Sequence, residues 1–294
     1  IGTGGKIQTT SLINNGTLIN EGNIYITKDL TSTADITGTG TLLFTGTIDQ
    51  IFTSNNKIYT KIIENKDGGS LTINGNCSID SFTITKGTAT TFSGRPIITT
   101  WSDVAGAGNL SFSNGATLSS DTEIKTSGSV NLAGTFTTAD LTVTNGAATL
   151  NGTFSSDSLS FNKAVTLAGN TTITNSAASE TVHFADAITG ASNSLSINTG
   201  ATQFDGTVSG LSSLSTAATT INCASITSSG VQTYNGAITI SQNTILSASE
   251  IDFLATIGSS NKLTVNAPVF KSAASADNTI TLSEIEFAAD TSIQ

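Results

Sequence analysis

The chemistry open to this chain is limited by how few reactive side chains it holds. There is one histidine, His183, one arginine, Arg95, and two cysteines, Cys77 and Cys223, in 294 residues. A nucleophilic triad needs a base, most often histidine. His183 lies in SETVHFADAITG, with Ser179 upstream and Asp186 three residues on. On a strand, residues three apart point to opposite faces, so this spacing predicts a surface or turn histidine. A zinc site needs clustered Cys and His, which the chain lacks. The GTGGK segment has neither the spacing nor the strand–helix context of a phosphate loop. Carboxylates recur as same-face pairs, Asp121 with Glu123, Glu250 with Asp252 and Glu284 with Glu286, and read as solvated faces. Glycan hydrolysis needs two carboxylates at a set separation, and lyase chemistry needs a base with cations. These residues are too dispersed to predict either, so no catalytic residue, metal or cofactor is assigned.

Composition sets the frame for those residues. Charged residues make up 11% of the chain, well below the ~25% of ordinary globular domains. Thr, Ser, Asn and Gly must therefore cover the surface. Thr favours strands and Gly and Asn favour turns, so the chain reads as all-β. The net charge of −10 speaks against nucleic acid, which is bound through Lys and Arg on phosphates. No apolar run approaches the ~20 residues of a membrane helix. The chain opens at Ile1 without Met, and reads as a mature or excised part of a longer product.

Internal repeats then give the elements. A Leu–Ser/Thr–apolar–polar pattern begins at Leu71, Leu110, Leu141, Leu159, Leu195 and Leu263. Each copy alternates apolar and polar, the period of a half-buried strand. Asn-Gly pairs at 15–16, 74–75, 114–115, 145–146, 151–152 and 235–236 punctuate the strands. Such pairs suit antiparallel hairpins, but a unit of roughly 20 residues suits a coil of a stacked solenoid better. The expected fold is a parallel β-helix, or β-solenoid, of roughly 14 coils. At ~4.8 Å per coil that makes a rod of about 70 Å.

The alternation predicts inward or rim positions at Ile73, Phe112, Val143, Phe161, Ile197, Tyr234 and Val265. Cys77 alternates with Ile79, and Cys223 with Ile221. At this repeat length Cys77 and Cys223 lie several coils apart, too far for a disulfide. Both are therefore expected to be buried free thiols. Tyr234 precedes an Asn-Gly pair, and its hydroxyl is expected near solvent. Residues 1–86, richer in Ile, Lys and Asn, and 110–294, richer in Ala and Ser, read as two repeat styles of one elongated solenoid. Residues 87–109 hold the arginine, the sole Trp and one of two prolines, and read as an irregular junction or lateral loop.

The stretches 144–175, TNGAATLNGTFSSDSLSFNKAVTLAGNTTITN, and 228–253, SSGVQTYNGAITISQNTILSASEIDF, resemble repeats of bacterial secreted β-solenoid exoproteins. These are the filamentous-haemagglutinin-like proteins and autotransporter passengers. Residues 45–76 are similar to another repeat style of bacterial surface proteins. The resemblance implies a non-enzymatic structural or adhesive rod, secreted or on the bacterial outer surface. Its partners would be host or neighbouring-cell surface molecules or glycans. Copies of the chain itself, stacked end to end in a fibre, sheath or envelope layer, are the alternative. A β-helix polysaccharide-processing enzyme is a second alternative.

Overall fold

A computed structural model describes residues 1–272, 280–288 and 290–294. Among these residues there is no helix, and the chain forms short strands paired in parallel, coil upon coil. This is a β-solenoid of about 15 turns. The coils differ in length: Lys6 pairs with Asn23 in a short one, and Thr171 with Leu195 in a long one. Parallel strands need a crossover, and here the rest of each coil supplies it. The Asn-Gly pairs therefore are not hairpins: most mark corners between strands of one coil, and Asn151-Gly152 falls at a register shift within the strand Ala148–Ser156. Packing divides the chain into two compact units, Ile1–Ala147 and Ala148–Gln294.

In the first unit, inward side chains stack in rows along the coils. One row runs Leu30, Phe52, Ile73, Phe92, Phe112 and Leu132. All six are buried. Within it Phe92 and Phe112 stack nearly parallel, with ring centroids 4.7 Å apart. A second row, Leu42, Ile62, Phe82 and Trp101, fills another wall. Val143 lies beside Ile124 in a third, both buried. Burying each such side chain contributes about 1.5–3 kcal/mol.

Residues 87–109 take part in this stacking. Ala89–Phe92 and Ile97–Ser102 are strands in register with the coils on either side. Residues 87–88, 93–96 and 103–108 lie outside the strands, and 103–108 is the longest of these connections. There the buried Asp103 carboxylate accepts the backbone N–H groups of Lys125 and Thr126, all at 2.9 Å.

The second unit is built in the same way. Phe161, Phe184 and Phe204 stack with centroids 5.5 and 5.6 Å apart. Ile197, Thr216, Tyr234 and Phe253 form a neighbouring row, and Ile226, Leu246 and Val265 another. Every position expected to face inward from the alternation is buried.

Tyr234 departs from its expected setting at the hydroxyl. The side chain is fully buried, and its hydroxyl donates to Gln232 Oε1 at 3.0 Å. Gln232 in turn donates to the carbonyls of Ile226 and Ser247. The hydroxyl is thus satisfied inside the coil rather than near solvent. Burial pushes its pKa far up. The small Thr216 on the adjacent rung faces the ring on one side and Phe253, 5.2 Å away, faces it on the other.

Candidate functional site

The reactive side chains are placed by this stacking, and most are spent on structure. Cys77 and Cys223 are buried and unpaired. Burial pushes their thiols up to about 12 and about 11. A thiol is nucleophilic as its thiolate, so neither is set for chemistry at neutral pH.

His183 is half-buried and meets a partner that its sequence spacing does not reveal. Its Nε2 lies 2.8 Å from Asp205 Oδ2, one coil away. Asp205 also accepts from Gln203 and Asn222. Burial opposes ionisation of Asp205, but the bonds from His183, Gln203 and Asn222 outweigh it and hold the carboxyl below its ordinary value. Asp186 instead caps its own neighbour, accepting the Ala187 N–H. Ser160 pairs with His183 across the ladder, but its hydroxyl donates to Asn162 Oδ1. His183, Asp205, Gln203 and Asn222 act as a clasp between coils, not as a nucleophile with its base.

The acidic pairs are largely matched by lysine. Glu250 meets Lys271 at 2.7 Å, and Glu284 and Glu286 share Lys262. Glu123 meets Lys125 and accepts from Thr144. Asp121, Glu123 and Asp140 border a shallow groove of about 410 Å³. No group of three or more His, Cys, Asp or Glu among the described residues is placed to hold a metal ion.

A second charged group lies inside the first unit. Glu64 and Lys66 alternate inward on Lys57–Lys66, and both are buried. Lys66 Nζ donates to Gln50 Oε1 at 2.6 Å and to the Ile48 carbonyl at 2.7 Å. Thr90 donates to Glu64 Oε2, while Glu64 Oε1 has no hydrogen-bond partner. Burial raises the Glu64 carboxyl to about 7. In the sequence KIYTKIIENK these charges read as surface residues.

A second groove of the first unit, of about 400 Å³, lies at the corner around Arg95. Its wall is the outward row Ser78, Ile97 and Thr117, continuous across three coils. Its rim is made of corner residues Asn56, Asn76 and Arg95, with Cys77 at its floor. Asn56 takes a left-handed conformation (φ 55°), which Asn tolerates better than most residues. Its N–H donates to the Asn76 carbonyl at 2.9 Å. The Arg95 N–H donates to Asn76 Oδ1 at 2.8 Å, and the buried Pro96 follows it. Proline restricts the residue before it to extended conformations. The arginine backbone is thus fixed from both sides, while its side chain is exposed. Among the described residues, no hydrogen bond or ion pair engages the guanidinium. Ile97 is 46% exposed beside it, and Ile58 on the same row is exposed to a similar extent. In the sequence Arg95 stands out as the sole arginine but has no visible role, because its groove is formed by residues from neighbouring coils.

Comparison with protein-family models, with curated proteins and with solved structures finds no match. The class is defined by the fold itself, a parallel β-solenoid. No helix among the described residues is long and apolar enough to cross a membrane.

Proposed function

We propose that this β-solenoid is a non-enzymatic structural and adhesive element, displayed on a bacterial surface or secreted, like the exoproteins its repeats resemble. The supporting observation is the outer face of the coils. In the first unit Thr72, Thr91, Ser111 and Asn131 form one outward row. In the second, Thr149, Thr166, Thr189 and Ser209 do the same. These rows carry hydroxyls and amides without charge, on a backbone whose own hydrogen bonds are used up between coils. Such a face offers many weak, salt-tolerant contacts to polar surfaces and costs little desolvation compared with charged groups.

Beads coated with the purified chain should adhere to cell or glycan-coated surfaces. Retention should change little between about 50 and about 500 mM salt, a range over which contacts between exposed charges become strongly screened. Retention equal to that of uncoated beads would overturn the adhesive reading. Regular fibres or lattices in electron micrographs would point instead to a self-assembling layer. New reducing ends or unsaturated products from a polysaccharide panel would point to an enzyme.

A further inference from the structure

We infer that the Arg95 groove is a binding subsite for one carboxylated sugar residue within an otherwise neutral glycan. The assignment rests on the adhesive reading above and names the chemistry it recognises at this place.

Four features of the groove select this ligand. The guanidinium of Arg95 is exposed, and among the described residues it has no internal partner. Its planar fork matches a carboxylate in a two-bond arrangement. Its backbone is held by Asn76 Oδ1 and by Pro96, so the side chain is presented from a rigid corner. Around it, the Asn56 and Asn76 amides and the Ser78 and Thr117 hydroxyls line the cavity. These are the donor and acceptor types that pair with sugar hydroxyls. Ile97 supplies an apolar surface for the C–H face of a ring.

Charge limits the ligand to a single carboxylate. The chain carries a net charge of −10, and a polyanion would be repelled over most of its length. The Asp35 carboxylate, which accepts the Ile58 N–H at 3.0 Å, keeps its negative charge and adds to the repulsion of a polyanion. One local positive site on an acidic chain suits one negative group on a neutral ligand.

The test uses the full chain and a neutral hexose oligosaccharide ending in one uronic acid, alongside the same oligosaccharide with its carboxyl reduced to an alcohol. Titration calorimetry should show the acid binding about tenfold more tightly than the alcohol, which corresponds to about 1.4 kcal/mol. Arg95→Ala should abolish that difference. Arg95→Lys should retain only part of it, because a point charge replaces the fork. Ile97→Ala should weaken both ligands equally. Unchanged circular dichroism would confirm that the exposed Arg95 variants are folded. Equal binding of acid and alcohol, binding of neither, or a difference that survives Arg95→Ala would overturn the subsite. Coated beads that still adhere in those cases would leave the adhesive reading standing, whereas loss of adhesion by the native chain would overturn that reading separately.

Discussion

The carboxyl of Glu64 sits where side chains are otherwise mostly apolar, and that place governs its titration. Burial raises its pKa from the ordinary 4.5 to about 7, and neither Thr90 nor Lys66 fully offsets the effect. Below pH 4.5 both folded and unfolded chains hold the proton, and no stability is lost. Between 4.5 and about 7 the unfolded chain ionises while the folded carboxyl still resists. Stability therefore falls as pH rises through this window, by about 3 kcal/mol in all. Glu64→Gln should remove that dependence and make the first unit more stable at pH 8 than the native chain. Denaturant melts at pH 4, 6 and 8 measure it; an unchanged pH slope in the variant would count against this role. The charge itself was not legible as buried, because Glu and Lys alternating with Ile and Asn look the same whether the strand faces in or out. Tyr234 shows the complementary limit. The alternation gave its inward direction, but not the glutamine two residues earlier that satisfies its hydroxyl within the coil.

At the scale of the coil, corners are as specific as cores. Gly94 lies against Gly75, and a Cβ added to it would come within 2.2 Å of the Gly75 carbonyl carbon and oxygen. The obstacle is backbone, so no flexible side chain can move aside. Gly94→Ala should therefore cost about 1–3 kcal/mol by overpacking, and should also impair the Arg95 groove it precedes. Arg95→Ala, exposed at the next position, should change stability by less than about 0.5 kcal/mol. Thermal melts of the two variants make the comparison; equal melting points would show that the corner relaxes freely. Strands and their inward faces were readable because alternation with period two is a local property. The His183–Asp205 clasp and the Arg95 groove were not, because coil length varies, as the Lys6–Asn23 and Thr171–Leu195 pairings show. A drifting sequence period cannot say which side chains of adjacent coils meet.

For the molecule as a whole, stability is a sum of neighbouring interfaces. Phe184 lies between Phe161 and Phe204 in the second unit. Phe184→Ala should cost about 3–5 kcal/mol, with the loss felt mainly by the coils that touch it. Hydrogen exchange should rise most in Leu159–Phe161, Thr181–Phe184 and the Ala201–Phe204 part of the next strand. Uniform deprotection across the second unit would show that it unfolds as one cooperative body. The predicted fold class was legible at this scale because the same short pattern recurs along the chain. The partition at Ala147 and Ala148 left no mark of composition, since the strands on either side share one repeat style.

The short reach of the strand pairings bears on how such a chain comes to be folded. Even the long step from Thr171 to Leu195 joins one coil to the next, so each new coil can form on the one just completed. A chain delivered end first, through a pore or from a ribosome, need not wait for its far end before it begins to take shape. The order in which residues arrive then matches the order in which their templates become available, and a stalled coil delays only the coils after it.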